Sequence, residues 1–212
     1  MKILHIISGL KNAGTEKNLT NIVLSDKENI HIVISLSGLG YYGKILKRKN
    51  IKVYSLHINQ SLKKIYQLYK IIKSENPNLV QTWLIYADML GGIVARLAGI
   101  RKIIWSIRSD GIDLKKEKFK IVPFYFLFIL LLFVIPTKVI TNLKLRKLKY
   151  LYLLNKKKFH LIHNGFHIPK IKKIKKNKKF IIGHLGRYHP IKNHKMILSV
   201  AEELKKKILT TS

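Results

Sequence analysis

The sequence predicts an α/β protein with a parallel sheet, followed by the first strand and helix of an incomplete second α/β domain. Up to residue 163, short β-branched runs alternate with helical patterns. A lysine-rich stretch at 169–178 then interrupts the alternation, and one more strand pattern and one more helix pattern follow it. Repeated β-α-β alternation places parallel strands in one sheet with helices on both faces.

Seven short apolar runs are predicted to be strands, because they are brief and rich in β-branched residues, as buried parallel strands are. They are residues 2–7, 30–36, 51–56, 79–83, 102–107, 137–141 and 159–163. Segment 62–75 has an apolar stripe at helical spacing that ends at Asn76, and segment 86–98 is a largely apolar helix pattern that ends at Gly99. Parallel sheets bind ligands at the carboxyl ends of their strands, so residues that follow strands are the functional candidates.

The run "IVPFYFLFILLLFVIP" at 121–136 contains no charged residue and is just short of a membrane span. Strands of the same sheet are predicted on both sides of it, which opposes spanning. We expect either a buried helix or a helix that lies in the membrane interface. The basic residues of 142–158 are equally compatible with headgroup contacts and with an ordinary lysine-rich helix.

The charge is strongly basic, with 42 Lys and Arg against 10 Asp and Glu and a net charge of +32. No acidic residue occurs between Glu117 and Glu202. Such a chain attracts phosphates, anionic lipid headgroups or nucleic acid. The composition bias of an A+T-rich genome, which raises Lys, Ile and Asn together, is an alternative explanation. Nucleic acid is not favoured as a partner, because no stacking aromatics or helix-turn-helix pattern accompany the lysines.

Several kinds of chemistry are not expected. The chain has no cysteine, which excludes disulfides, thiolate metal sites and a cysteine nucleophile. Its nine histidines show no metal-ligand spacing, so we expect no metal and no cofactor. Met1-Lys2 leads directly into "ILHII", without the pattern of a cleavable signal peptide. We therefore expect a cytoplasmic protein.

The stretch "GHLGRYHPIKNH" at 183–194 carries a candidate anion site. A strand is predicted over 180–186, then Arg187 and Lys192 stand ahead of a helix. A helix N-terminus favours anions, arginine can bind a phosphate bidentately, and lysine acts as a point charge. A solvated loop in a lysine-rich chain is the alternative. One strand and one helix cannot close a core, so this second domain is predicted to be incomplete.

Four segments together resemble retaining glycosyltransferases of the GT-B fold, the group 1 or family 4 class. "GHLGRYHPIKNHKMILSVAEEL" resembles the start of their C-terminal domain, which has a strand, then G-R-x-x-x-x-K, then a helix. "SGLKNAGTEKNLTNIV" resembles their first-strand loop, with Ala13, Gly14, Thr15 and Glu16 at the usual Gly-Gly-Ala-Glu. Residues 79–111 resemble the branch of the class that is active in cell-surface polysaccharide assembly, including lipopolysaccharide.

The fourth segment, "LIHNGFHI" at 161–168, resembles the marker at the domain crossover, with His163 and His167 in place of Pro and Asp. The resemblance implies a Rossmann-like N-terminal domain over 1–168 on the acceptor side. It also implies a lysine-rich linker over 169–178 and the start of the donor-binding domain over 179–212.

The resemblance also implies site residues. Arg187 and Lys192 match the positions that hold the diphosphate of the nucleotide-sugar donor. Gly14 and Glu16 match the glycine-rich loop, although a simple turn at Gly14 and a helix-dipole contact by Glu16 are alternatives.

Arg108 follows a predicted strand near a position where many members of the class have a functional histidine, so it is the catalytic candidate. Because arginine stays charged, it cannot move protons as a histidine does. It can hold a phosphate or a sugar hydroxyl, and a plain salt bridge to Asp110 is the alternative.

The implied reaction moves a sugar from a nucleotide-diphosphate donor to a hydroxyl of a polysaccharide or lipid-linked acceptor, with peripheral contact to an anionic membrane at its inner face. The class also carries two glutamates, seven residues apart, near the donor sugar. After residue 117 only Glu202 and Glu203 are acidic, and they cannot be that pair. We therefore expect little activity from these 212 residues alone. A non-catalytic docking module, or the remnant of a split or frameshifted gene, is the alternative.

Overall fold

A computed structural model shows how these segments fold. It describes residues 1–108, 122–142, 156–165, 181–186, 188 and 192–210. The chain divides into two compact units, Met1–His167 and Ile168–Ser212.

All seven predicted strands form, and they make one sheet in the first unit. They are β1 (Lys2–Ile7), β2 (Ile30–Ser35), β3 (Lys52–Ser55), β4 (Leu79–Trp83), β5 (Ile103–Ile107), β6 (Lys138–Thr141) and β7 (Phe159–Leu161). Their order is β3-β2-β1-β4-β5-β6-β7, and every neighbouring pair is parallel. The parallel α/β architecture is therefore confirmed, with strand ends that differ from the prediction by no more than two residues.

In the described part of this unit, five α-helices cover the sheet. They are α1 (Gly14–Ser25), α2 (Gly40–Arg48), α3 (Lys63–Glu75), α4 (Ile85–Leu97) and α5 (Val122–Val134). Helices α3 and α4 match the two segments predicted from their apolar patterns. Helix α1 begins inside the segment that resembles a loop. Its apolar pattern does not predict a helix, because its buried side chains include Glu16, Asn18 and Thr20 and so leave no clear apolar stripe.

The core lies on both faces of the sheet. Side chains from α3, α4 and α5 pack with one set of strand residues, whereas α1 and α2 pack with another set that includes Ile7 and Trp83. Trp105 in β5 is fully buried and stacks on Phe128 of α5, with 5.5 Å between ring centroids. Strands buried on both faces explain why their sequences are continuous apolar runs rather than alternating ones.

Helix α4 contacts the sheet closely because it has two consecutive glycines where it crosses the strands. A Cβ atom on Gly91 would lie 2.9 Å from Ile6 Cγ2. A Cβ atom on Gly92 would lie 2.7 Å from Trp105 Nε1 and 2.9 Å from Ile135 Cγ2. Glycine weakens a helix interior, so its presence here reflects the lack of space beneath α4.

Helix α5 lies within the apolar run at 121–136, and one side of it packs on the sheet. Its thirteen residues span about 20 Å, short of the about 30 Å hydrocarbon core of a bilayer. Tyr125, Phe128 and Leu132 are buried. None of the helices in the described ranges has both the length and the apolar character to cross a membrane. The opposite side of α5 is exposed.

In the second unit the structure describes one helix, α6 (His194–Thr210). The strand predicted over 180–186 is wrong for residues 181–186, which have no regular structure. A strand needs a neighbouring backbone to pair with, and the described residues of this unit supply none. Ile181 and Ile182 are accordingly exposed, and so is Leu185. The incomplete second domain stays a prediction.

The packing of α4 gives a direct test. Substitution Gly92→Ala should lower the free energy of unfolding by about 1–3 kcal/mol, because the added methyl group overpacks the contact with Trp105. Urea denaturation followed by circular dichroism measures the change. Gly14→Ala is the matched control, because a Cβ atom there meets nothing within 4 Å. Equal stability of the two variants would contradict the close contact.

Candidate active site

The strand order places a crevice at the carboxyl edge of the sheet. Strands β1 and β4 are neighbours, and the chain leaves them for helices on opposite faces. In open parallel sheets such a reversal point is where ligands bind. Helices α1 and α4 begin at this edge, so their free N–H groups face it.

Leu84, between β4 and α4, has an unusual backbone conformation. Its φ is 74° and its ψ is 146°, a combination that non-glycine residues rarely adopt. Such a conformation costs about 1–3 kcal/mol and persists only when its surroundings impose it. Here the Asp88 N–H donates to the Leu84 carbonyl at 2.8 Å, which begins α4 immediately after the strand. The surroundings therefore impose this sharp turn directly after Trp83, the last residue of β4.

Arg108 lies directly after β5, and two of its contacts define its place. Its guanidinium stacks over the Trp83 ring, 4.7 Å from the ring centroid. Its Nη1 donates to Asn164 Oδ1 at 2.6 Å. Asn18 Nδ2 of α1 donates to the same oxygen at 2.9 Å. We call these two bonds the Asn164 junction, which joins α1, the end of β5 and the segment after β7.

A cavity of about 380 Å³ lies beside the junction. Its lining consists of Asn18, Asn21, Ile22, Ser25, Arg108, Ile162, His163 and Gly165. Five of these eight residues have polar side chains, and none is acidic. A cavity with hydroxyl, amide, imidazole and guanidinium groups suits a ligand that carries hydroxyl or phosphate oxygens.

A buried carboxyl group lies near Arg108. Burial raises the pKa of Asp88 to about 7, against the opposing effects of the hydrogen bond from Thr82 and the Arg108 charge. Thr82 Oγ1 donates to Asp88 Oδ1 at 2.6 Å. Burial lowers the pKa of Arg108, and the Asp88 charge opposes that shift. Asp110, the partner expected for Arg108, lies outside the described residues.

A chain of buried side chains supports the Trp83 ring. Trp83 Nε1 donates to His5 Nδ1 at 3.2 Å. An indole N–H can only donate, so His5 Nδ1 is the acceptor and the proton of the neutral ring is on Nε2. His5 Nε2 therefore donates to His31 Nδ1 at 3.0 Å. His31 Nε2 then faces Asp26 Oδ2 at 3.1 Å. We call this row the histidine chain.

The histidine chain keeps His5 neutral. Burial, and then the nearby His31, lower the pKa of His5 to about 3. At the outer end, the Asn29 side-chain hydrogen bond is the largest of the effects that hold the pKa of Asp26 below its usual value. The rings of His5 and His31 thus link the Asp26 carboxylate to Trp83, on which Arg108 stacks.

The other predicted site residues of the first unit are not part of this arrangement. Gly14 is the first residue of α1, and a Cβ atom there would meet nothing within 4 Å. Glu16 is 7% exposed in the first turn of α1, where a carboxylate favours the helix N-terminus. The assignment of Gly14 and Glu16 to a ligand-binding glycine-rich loop stays a prediction.

The two predicted cations of the second unit both precede α6 in sequence. Arg187 lies outside the described residues. Lys192 is exposed two residues before α6 begins, and a Cβ atom on Gly186 would lie 3.7 Å from its Cγ. The rings of His184 and His194 are also in contact, with 5.1 Å between centroids.

Comparisons with known proteins agree with this architecture. No protein-family model matches the sequence. The chain is 25% identical over 220 residues to the capsular polysaccharide biosynthesis glycosyltransferase CapH of Staphylococcus aureus. The similarity covers 99% of this chain and 60% of that protein, so the chain spans less than two thirds of its curated relative.

Several solved structures have a similar fold, and two of them are HepE and WaaB. Anabaena Alr3699/HepE in complex with UDP matches 78% of this chain and 44% of its own at a TM-score of 0.63 and 16% identity. The structure of the lipopolysaccharide outer core galactosyltransferase WaaB covers 81% of this chain and 48% of the WaaB chain, with a TM-score of 0.56 and 12% sequence identity. At these identities the likeness shows the fold alone. The fold is that of GT-B glycosyltransferases, and the chain corresponds to a partial, N-terminal part of it. In sequence, the chain is similar to a capsular polysaccharide glycosyltransferase.

The histidine chain gives a pH-dependent prediction. His5 has a pKa of about 3 in the folded protein, against about 6.5 when unfolded. Between these values the unfolded chain binds a proton that the folded chain does not, so the free energy of unfolding falls as the pH falls. From pH 7 to pH 5 the loss from His5 should be about 2 kcal/mol.

Urea denaturation of the wild type and of His5→Asn at several pH values measures this loss. The variant has no titrating ring at position 5, so its free energy of unfolding should fall less over the same interval. Long-range ¹H–¹⁵N correlation of the imidazole rings provides an independent readout, in which His5 should stay neutral with Nδ1 unprotonated at pH 5. A His5 ring that titrates near pH 6.5 would contradict the buried hydrogen bonds of the histidine chain.

Proposed function

We propose that a protein containing this chain transfers a sugar from a nucleotide-diphosphate donor to a hydroxyl of a polysaccharide or lipid-linked acceptor. The observation that carries the proposal is the similarity to a capsular polysaccharide glycosyltransferase over 99% of the chain. The HepE structure is a complex with UDP, which supports a nucleotide-sugar donor. The transfer would be of a hexosyl group with retention of configuration, as the resemblance to the family 4 class implies.

The cavity beside the Asn164 junction would bind the acceptor. Its polar, acid-free lining suits sugar hydroxyls or the phosphate of a lipid-linked saccharide. Arg108 would hold such an oxygen with the guanidinium donors that the junction does not use. Because arginine remains charged, its role would be to position the acceptor and offset negative charge rather than to accept a proton.

Arg187 and Lys192 would hold the donor diphosphate. Negative charge grows on the leaving diphosphate as the sugar departs, and fixed cations at a helix N-terminus stabilise that charge. Lys192 is exposed beside the start of α6, which is compatible with this role.

The site of action would be the cytoplasm, at the inner face of the cell membrane. A lipid-linked acceptor would lie in a membrane, and the strongly basic chain would be attracted to anionic lipid.

The proposal predicts that the 212-residue chain alone transfers little or no sugar. The described residues of its second unit form one helix, which provides no nucleotide pocket. Release of radiolabelled product from a panel of nucleotide-sugars, with a lipid extract as acceptor, measures transfer. Steady turnover by the purified chain would contradict the prediction.

A chimera tests the function itself. This chain, joined to the part of the S. aureus relative that it does not span, should gain transfer activity. Arg108→Gln in the chimera should reduce the rate at least tenfold, because one hydrogen bond to a charged group is worth about 1.5–3 kcal/mol. Arg48→Gln, at the exposed C-terminal end of α2, is the matched control. A folded, monodisperse chimera without transfer would contradict the proposal.

The donor site gives a separate prediction. In the chimera, which has the rest of the donor domain, the double variant Arg187→Gln/Lys192→Gln should weaken UDP binding at least tenfold, because both charge-assisted contacts to the diphosphate are lost. Isothermal titration calorimetry measures the affinity. Lys195→Gln removes an exposed charge one residue inside α6 and should have little effect. Equal loss in the control would show that net charge, rather than these two residues, attracts the nucleotide.

A further inference from the structure

The outward side of α5 is apolar along its length. Six of its large side chains are at least 38% exposed, namely Phe124, Phe126, Leu127, Leu130, Phe133 and Val134. The helix contains no charged residue, and the hydroxyl of Tyr125 belongs to the side that faces the core. A surface helix of a soluble domain normally has polar residues on the side opposite its core stripe. We call these six residues the outer α5 face.

Cations gather at the C-terminal end of α5. Lys158 Nζ donates to the carbonyls of Leu132 and Phe133 at 3.0 and 2.8 Å. Arg96 donates to the carbonyl of Ile135. Burial and the nearby Arg96 charge lower the pKa of Lys158, which shows that these cations are close neighbours.

Further lysines extend this group of cations. Lys138 Nζ donates to the Lys157 carbonyl at 3.3 Å, and Lys138, Lys156 and Lys157 are exposed. Residues 89–109 and 118–201 contain no acidic side chain, so these segments contribute no carboxylate to offset the cations. We call Arg96, Lys138, Lys156, Lys157 and Lys158 the α5 basic cluster.

This combination of chemistry selects one kind of occupant. A contiguous apolar patch on a soluble domain marks a surface that another molecule covers. A second copy of the chain could also cover this face, but two copies that each carry a net charge of +32 repel one another. An anionic bilayer supplies acyl chains for the apolar side chains and phosphates for the lysines.

We infer that the outer α5 face and the α5 basic cluster form a docking surface for an anionic lipid bilayer. The helix lies along the interface, with its exposed phenylalanine and leucine side chains at the acyl boundary and the lysines among the headgroups. This inference deepens the proposed membrane location and does not depend on sugar transfer. Vesicle binding, measured without any nucleotide-sugar, can therefore fail or succeed independently of the proposed reaction.

Co-sedimentation of the 212-residue chain with vesicles of phosphatidylglycerol and phosphatidylcholine tests the inference. Binding should increase with the anionic fraction and weaken as salt is raised. The variant Phe126→Glu/Leu130→Glu should lower the vesicle affinity at least tenfold. Leu62→Glu, with Leu62 83% exposed ahead of α3, introduces the same kind of charge elsewhere and should bind nearly as well as the wild type.

A second pair of variants isolates the basic cluster. Lys156→Gln/Lys157→Gln should weaken binding several-fold and reduce its salt dependence, whereas Lys47→Gln/Lys49→Gln, at the exposed end of α2, should change it little. Circular dichroism shows whether each variant is folded, which is expected because all these side chains are exposed.

Three outcomes would overturn the inference. The first is no binding to anionic vesicles, and the second is equal binding to vesicles of pure phosphatidylcholine. The third is a dimer of the free chain in sedimentation velocity that Phe126→Glu/Leu130→Glu dissociates, because the outer α5 face would then be an interface between copies.

Discussion

The shared acceptor oxygen of Asn164 is the contact on which the candidate site depends. Arg108 and Asn18 both donate to it, so three segments that are distant in sequence meet at one atom. Without this junction a largely buried guanidinium would lose its charge-assisted hydrogen bond, which is worth about 1.5–3 kcal/mol. The wall of the cavity would also lose the bond that holds the segment after β7 against α1. The junction is thus both a structural contact and the reason why Arg108 faces the cavity.

Trp83 also holds Arg108 in place, by stacking against its guanidinium. The ring of Trp83 lies under the guanidinium and is oriented by His5, whose tautomer is set by the donor-only indole N–H. Directly after Trp83, the backbone turns into α4 through the unusual conformation of Leu84. The N-terminal unit therefore combines a preorganised polar edge with a separate apolar and basic surface on α5.

Much of the fold could be predicted from the sequence, because buried parallel strands are short apolar runs that alternate with helices. All seven strands and the helices α3 and α4 follow that pattern. Helix α1 does not show it, because it buries Glu16, Asn18 and Thr20. The strand predicted at 181–186 is wrong because a local pattern cannot show whether a partner strand exists.

The site is less accessible to sequence reasoning. Arg108 is predictable because it follows a strand, but its partners come from α1 and from the segment after β7. Asn164 lies within the crossover motif, although the motif draws attention to the neighbouring histidines instead. His5 and Asp88 lie within a strand and a helix, and only tertiary contacts give them a role.

The most direct measurement of the central claim is an NMR titration with inorganic diphosphate that follows the two indole N–H signals, assigned with Trp105→Phe. We predict a saturable shift of the Trp83 signal that Arg108→Gln weakens at least tenfold and Arg48→Gln preserves, whereas an unmoved Trp83 signal would contradict the account.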